Sequence, residues 1–123
     1  MVLFNKNNYT ISYNATFLEV LNVINLNNRR FAVICDNEKV VGLVTDGDVR
    51  RSLLSGCKLN DQVQFNKNFI FVNYSDEFEF ISQKFRDFNL DFLLVLKEGA
   101  LYNIINKNQF HIMLLEDIKF RTD

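Results

Sequence analysis

The feature that most limits the possible folds of this chain is an internal repeat with a period of about 61 residues. When the chain is shifted along itself by that distance, residues of the same or similar type superpose. The superposed pairs are Tyr13 with Tyr74, Phe17 with Phe78, Val20 with Ile81, Ile24 with Phe85, Asn28 with Asn89, and Phe31 with Phe92. After the turn at Lys97-Glu98-Gly99 we expect the period to drop to about 60, because that turn is one residue shorter than its counterpart. Such a repeat predicts two copies of one supersecondary unit.

The first copy predicts the element order β-α-β-β-α, since apolar runs rich in β-branched residues alternate with segments of helical spacing. On the second helix we expect Val49, Leu53 and Leu54 to share the apolar face. Gly56 follows this helix at the position where a left-handed cap residue belongs. The predicted elements are a strand at Thr10 to Tyr13, a helix at Phe17 to Ile24, strands at Phe31 to Cys35 and Val40 to Thr45, and a helix at Asp46 to Leu54.

The second copy predicts the same order. Its elements are a strand at Phe69 to Val72, a helix at Phe78 to Phe88, strands at Phe92 to Leu96 and Ala100 to Ile105, and a helix from Lys107 to about Leu115. Neither half is long enough to bury its apolar faces alone. We therefore predict an α+β fold of two β-α-β-β-α repeats, residues 1–60 and 61–123, packed as a pseudo-twofold pair around a shared interior.

Charge and composition exclude several classes of protein. With 14 basic and 15 acidic residues the chain offers no broad positive surface for nucleic acid. No apolar run approaches the roughly 18 residues of a membrane span, and the N-terminus lacks a signal-peptide pattern, so we expect a cytoplasmic protein without membrane contact. Cys35, Cys57 and His111 cannot supply a structural zinc site, so we expect no metal and two reduced thiols.

The segment that carries chemistry is Gly42 to Arg51, which runs from a buried strand into the start of a helix. A helix start offers free N–H groups and positive dipole character to an anion. Thr45 can hydrogen-bond a phosphate oxygen, Asp48 can accept both hydroxyls of a ribose, and Arg50 and Arg51 can pair with phosphate. The same spacing also fits a capping box, in which Thr45 caps the helix and Asp48 reaches back to its backbone. From spacing alone, both readings stay open.

Three further residues belong to the candidate site. Asp46 lies beside the motif, and Ile11 and Ile34 are candidates for its apolar walls. Asp46-Gly47-Asp48 also has the form of an Asp-x-Asp pair that holds a divalent ion against a nucleotide sugar. Two repeats leave little chain for a substrate cleft, so we expect no catalysis.

At this point the residues identify a family resemblance. The segment Gly-Leu-Val-Thr-Asp-Gly-Asp-Val-Arg-Arg-Ser-Leu-Leu, Gly42 to Leu54, resembles the signature of cystathionine-β-synthase-type (CBS) domains, and the repeat from Thr10 to Leu115 resembles a CBS pair, or Bateman module. The Thr-Asp-Gly-Asp-hydrophobic-Arg-Arg form is similar to CBS pairs attached to bacterial sugar-phosphate isomerases and sugar-phosphate nucleotidyltransferases. The resemblance implies a regulatory module that requires no cofactor and binds AMP, ADP or ATP, with Thr45 on phosphate and Asp48 on ribose.

The second repeat departs from this motif. With a period of 60 at this point, Tyr102 replaces Gly42, Ile105 replaces Thr45, Asn106 replaces Asp46 and Asn108 replaces Asp48. We therefore expect one nucleotide site, in the first repeat.

These observations predict a homodimeric regulatory module that serves an attached or associated sugar-phosphate nucleotidyltransferase or isomerase. The chain starts at Met1 and ends in a polar tail, Lys119 to Asp123, which we interpret as the N-terminal part of a longer protein. The alternative function is a ligand-free dimerisation or interaction module. Phe80 and Phe88 favour it, because aromatic residues off the core stripe of a helix suit an interface.

Overall fold

The computed structural model describes residues 5–112 and residue 115, and in it the predicted β-α-β-β-α order occurs twice. The elements are β1 (Thr10–Ser12), α1 (Phe17–Asn27), β2 (Phe31–Asp36), β3 (Lys39–Thr45), α2 (Asp46–Leu54), β4 (Phe71–Asn73), α3 (Phe78–Phe88), β5 (Phe92–Lys97) and β6 (Ala100–Asn106). Residues 107–112 are helical, and the predicted continuation of that helix runs into positions 113 and 114, which lie outside the described residues. The α+β fold class is confirmed.

Each repeat builds its own three-stranded sheet, ordered β1-β2-β3 in the first and β4-β5-β6 in the second. The first two strands of each sheet are parallel, and the last two are antiparallel. A helix joins the parallel strands and a tight turn joins the antiparallel strands, as the geometry of each pairing requires. The chain divides into two compact units, Met1–Phe69 and Ile70–Asp123.

The period of the repeat stays at 61 residues through the second hairpin, so the predicted drop to 60 was wrong. Phe31 pairs with Thr45 in the first sheet, and Phe92 pairs with Asn106 in the second. Each hairpin has a two-residue turn whose first residue, Asn37 or Glu98, has positive φ, and each carries an irregularity at the equivalent place in its ladder. The two turns have the same length because the strands extend closer to the turn than their apolar runs indicate.

The core of the first unit forms beneath α1, as its helical spacing predicted. Phe17, Val20 and Ile24 are buried on one face. Thr16 caps the helix, and its hydroxyl oxygen accepts a hydrogen bond from the Glu19 N–H at 3.2 Å while a Glu19 carboxylate oxygen accepts one from the Thr16 N–H at 3.1 Å. This capping box satisfies backbone donors that a helix start leaves without partners.

Helix α2 begins and ends where the sequence predicted, but one of its apolar residues faces outward. Val49 is buried, whereas Leu54 is 82% exposed, so its predicted place on the apolar face was wrong. Leu54 follows Leu53, which packs on the core, and adjacent residues of a helix point about 100° apart. Gly56 has φ +112°, and the Gly56 N–H donates to the carbonyl of Leu53 while the N–H of Cys57 donates to that of Ser52. These two bonds form a Schellman motif, so the predicted cap glycine is confirmed.

The core of the second unit is built from aromatic residues. Phe110 has no exposed surface, and its ring lies 5.4 Å from that of Phe85 and 5.7 Å from that of Phe78. Phe80 and Phe88 of α3 are 44% and 49% exposed, which confirms that both lie off the core stripe. The aromatic residues of the second repeat therefore lie partly in the core and partly on an exposed face of α3.

A short segment that follows α2 returns to cover the sheet of the first unit. The backbone of Asn66 exchanges two hydrogen bonds with Leu43 of β3, at 2.9 and 3.0 Å. The ring of Phe65 lies directly against Gly42, where an added Cβ would also come within 2.8 Å of the Asn66 carbonyl oxygen. Gly42 is required here because two pieces of backbone approach closely. The sequence repeat predicts a boundary after residue 60, whereas the boundary between the two compact units lies after Phe69.

Candidate functional site

The candidate site lies where β3 turns into α2, and its central residues form a capping box. Thr45 is the N-cap, and its hydroxyl oxygen accepts a hydrogen bond from the N–H of Asp48 at 3.1 Å. In return the Oδ2 atom of Asp48 accepts a hydrogen bond from the N–H of Thr45 at 3.0 Å. The Asp46 N–H donates to the carbonyl of Arg30 at 2.8 Å, which fixes the end of β3 against the start of β2. The capping interpretation of the motif is therefore confirmed.

The four charged residues of the motif pair with one another along α2. Arg51 Nη2 lies 2.6 Å from Asp48 Oδ1, and Arg50 Nη2 lies 2.9 Å from Asp46 Oδ2. Both arginine side chains are about 70% exposed. Exposed ion pairs of this kind contribute little to stability, typically about 0.2–1 kcal/mol, so either guanidinium can change partner at small cost.

The hydrogen bonds around Asp48 lower the pKa of its carboxyl group. Burial alone raises that pKa, because it disfavours the charged form. The hydrogen bonds from Thr45 and the ion pair with Arg51 together outweigh burial, so the pKa lies below the ordinary value for an aspartate. Asp48 is therefore a carboxylate acceptor at neutral pH.

This lowered pKa predicts that the free energy of unfolding falls in acid. The stabilisation is present above the unfolded-state pKa, about 3.9, and is lost as the pH falls through the lower folded-state value. Urea unfolding of the wild type and of Asp48→Asn at pH 6 and below pH 4 should show a larger loss in the wild type. Equal losses in both proteins would contradict the hydrogen-bonded carboxylate.

The predicted walls of the site have different environments. Ile11 pairs with Ile34 in the sheet and is partly buried, so it lies at the margin of the core. Ile34 itself lies between Ile11 and Gly42 in the sheet and has no exposed surface. Its side chain belongs to the packed core of the first unit, which leaves Ile11 as the more accessible of the two candidates.

The counterpart of the motif in the second unit is shifted by one residue from the predicted alignment. Because the period stays at 61, Asn106 corresponds to Thr45 and Gln109 to Asp48. Asn106 Oδ1 accepts a hydrogen bond from the N–H of Gln109 at 2.7 Å, which reproduces one half of the capping box. Ile105 and Asn108 are not the equivalents of the two motif residues. The second unit nevertheless lacks the carboxylate, as predicted.

Other chemistry is sparse in the described part of the chain. Cys35 is buried and Cys57 is partly exposed, and neither forms a disulfide. Burial raises the pKa of the Cys35 thiol, which keeps it protonated. Within residues 5–112 and 115, no three histidine, cysteine, aspartate or glutamate side chains are grouped to hold a metal ion. No helix of the same residues is long and apolar enough to span a membrane.

Comparison with known proteins identifies the fold. Residues 3–55 match the family model of the CBS domain. A CBS domain protein from Pyrobaculum aerophilum complexed with AMP superposes with a TM-score of 0.72 at 21% identity, over 88% of each chain. A CBS domain pair/ACT domain protein from Thermotoga maritima superposes with a TM-score of 0.72 at 20% identity, over 92% of this chain and 93% of the other. The chain has the fold of a CBS-domain pair.

Two further matches are to chains longer than this one. The cytosolic domain of a Mg²⁺ channel in complex with ATP superposes with a TM-score of 0.71 at 16% identity, over 86% of this chain and 45% of that structure. A homoserine O-acetyltransferase of Methanobrevibacter ruminantium is 29% identical over 102 residues, which are 81% of this chain. The chain spans only 21% of the length of that relative.

Proposed function

We propose that this CBS pair is a regulatory, non-catalytic module that binds an adenine nucleotide at one site centred on Thr45 and Asp48. The observation that carries the proposal is the start of α2, where a hydroxyl, two carboxylates and two guanidinium groups lie within seven consecutive residues, 45–51. The positive end of the helix dipole favours a phosphate group there. The Asp48 carboxylate favours the paired hydroxyls of a ribose.

The capping box is compatible with a bound nucleotide. The Thr45 hydroxyl uses a lone pair to accept the cap hydrogen bond and still has a proton to donate to a phosphate oxygen. The Asp48 carboxylate has about four acceptor positions, and the cap and the ion pair occupy two of them. The same side chains can therefore stabilise the helix and bind a ligand.

Further support comes from the relatives with the same fold and from the second unit. The Pyrobaculum aerophilum protein is complexed with AMP and the Mg²⁺ channel domain with ATP, so adenine nucleotides are the ligands to test first. In the second unit Gln109 stands at the position of Asp48 and carries no charge, so it is a weaker acceptor for ribose hydroxyls. One site per chain follows from this difference.

We further propose that the module works in the cytoplasm as a homodimer and regulates a larger enzyme to which it is attached or bound. The form of the Thr45 to Arg51 motif favours a sugar-phosphate nucleotidyltransferase or isomerase. The similarity to an acetyltransferase of which the chain spans about a fifth favours an acyl-transferring enzyme instead. Purification of the protein from its own cells with its bound enzyme would distinguish the two.

Thermal unfolding in the presence of nucleotides tests the proposed site. A ligand at 100 times its dissociation constant stabilises a protein by about 2.7 kcal/mol, which is several degrees for a chain of this size. We expect that shift with AMP, ADP or ATP at millimolar concentration, and a smaller one with S-adenosylmethionine or a sugar nucleotide. Absence of any shift across the panel would contradict the nucleotide site.

The second candidate is a ligand-free interaction module, and the exposed face of α3 favours it. The Lys84 amino group lies over the rings of Phe80 and Phe88, 5.2 and 5.5 Å from their centroids. Three residues at four-residue spacing therefore form one aromatic ridge on the helix surface. If no nucleotide stabilises the protein while Phe80→Ser reduces self-association in sedimentation experiments, this second function is the better account.

A further inference from the structure

The side chain of Arg51 folds back over the first turn of α2 instead of extending into solvent. Its Nη2 atom lies 2.6 Å from Oδ1 of Asp48. The residue beneath it is Gly47, where an added Cβ would lie 3.3 Å from Nη1 of Arg51. Almost any other residue at position 47 would therefore bring a Cβ close to the guanidinium group. Because that group is the exposed end of a flexible side chain, it could accommodate a Cβ by moving a few tenths of an ångström.

This ion pair covers the carboxylate oxygen that the capping box leaves open. Oδ2 of Asp48 accepts the hydrogen bond of the Thr45 N–H, and Oδ1 accepts that of Arg51. A ribose presents two adjacent hydroxyl donors, which bind a carboxylate best with one hydroxyl on each oxygen. A ribose hydroxyl that uses the remaining lone pair of Oδ1 must approach beside the Arg51 guanidinium, which lies 2.6 Å from that oxygen, so the two groups compete for the space around Oδ1.

A phosphate group offers Arg51 a better partner than Asp48 does. Arg51 is 71% exposed, and solvent screens its attraction to one carboxylate oxygen. Phosphate accepts two parallel hydrogen bonds from a guanidinium group and carries more charge. A ligand that carries both ribose and phosphate can thus release the carboxylate and bind the released arginine.

We infer that Arg51 has two positions, on Asp48 in the ligand-free protein and on the ligand phosphate in the complex. The inference rests on the proposed nucleotide site and adds a specificity mechanism to it. Without a phosphate group, a nucleoside must compete with Arg51 and gains nothing in return. Arg51 is accordingly a residue that selects nucleotides over nucleosides.

Binding of adenosine and of AMP to Arg51→Gln tests this inference, with calorimetry as the measurement. The variant should bind adenosine about two- to fivefold more tightly than the wild type, because the competing guanidinium is gone. It should bind AMP about tenfold more weakly, because the contact of the guanidinium with phosphate is lost. Arg51→Lys keeps the charge without the planar fork and should recover part of the AMP affinity.

Arg86→Gln on the exposed surface of α3 is the charge-matched control, and we expect it to leave both affinities unchanged. A merely structural role of Arg51 would change adenosine and AMP binding in the same direction, so the opposite signs are the decisive result. If Arg51→Gln gains no adenosine affinity, the two-position arginine is wrong even though the site binds AMP. If the wild type binds neither ligand, the proposed function itself fails.

Discussion

Replacing Asp48 by asparagine should remove most of the stabilisation that an adenine nucleotide confers. A hydrogen bond to a charged group is worth about 1.5–3 kcal/mol, so the loss of the carboxylate weakens binding about 10- to 100-fold. At a nucleotide concentration 100 times the wild-type dissociation constant, the stabilisation then falls from about 2.7 kcal/mol to between about 0.4 and 1.4 kcal/mol. Thermal unfolding with and without nucleotide measures this difference for each variant against its own ligand-free state.

Asparagine is the appropriate substitution because its side-chain oxygen can still accept the hydrogen bond of the Thr45 N–H. The helix cap is thereby kept while the charge is removed. Asp87→Asn, at an exposed position on α3, makes the same change of net charge and should retain the full nucleotide effect. If Asp48→Asn also keeps the wild-type shift, the proposed ribose contact is wrong.

Replacing Phe110 by alanine should cost about 3–5 kcal/mol of unfolding free energy. Phe110 has no exposed surface and packs against the rings of Phe78 and Phe85, so its removal leaves a cavity between α3 and the last helical segment. Marginal stability means that such a loss is a large fraction of the total for an ordinary domain. Urea unfolding followed by circular dichroism measures it.

Two further variants make this prediction decisive even if the alanine variant fails to fold. Phe110→Val introduces the residue type of the equivalent position in the first unit, Val49, and should cost less because the cavity is smaller. Phe88→Ala removes an aromatic ring of which 49% is exposed and should cost no more than about 1 kcal/mol. A similar cost for Phe110→Val and Phe88→Ala would show that the aromatic core of the second unit contributes little.

Much of the fold is predictable because its signals are local. The helical spacing of Phe17, Val20, Leu21 and Ile24 predicts a buried stripe. The structure buries all of these except Leu21, which is partly buried against the same core. The start of α2 at Asp46 and the cap glycine Gly56 follow from residue types that favour those positions. Hydrophobic spacing and capping act over about one turn of helix, so one sequence is enough to read them.

The errors arise where a local pattern is ambiguous. The polar turn after β5 is one residue shorter by composition, yet the two hairpins are equal in length because Lys97 and Ala100 still pair. The misplaced turn shifted the alignment of the second motif, so Gln109 was missed as the equivalent of Asp48. The unbroken 61-residue period up to Phe92 was the signal that could have found it. Leu54 was misplaced because apolar character alone does not determine the angle at which a residue leaves a helix.

In the candidate site, too, the sequence predicts some features and leaves others to the folded structure. The motif from Gly42 to Arg51 and its place between a strand and a helix are readable from residue types. The residue types also limit the ion pairs along the helix, because Asp46 is the acidic residue four positions before Arg50 and Asp48 is the one three positions before Arg51. Whether each exposed arginine folds back onto that carboxylate or extends into solvent depends on its side-chain conformation, which the sequence does not give.

By itself the sequence determined the tandem repeat, the order of the elements and the motif that starts α2, because each depends on the periodicity and the residue types of short segments. Only the tertiary structure decided that Phe65 covers Gly42, that Ile34 is enclosed in the core and that Arg51 lies on Asp48. Those contacts depend on how strands register and how side chains share a limited volume. Both are properties of the packed chain, since many sequences with the same local pattern could satisfy them differently.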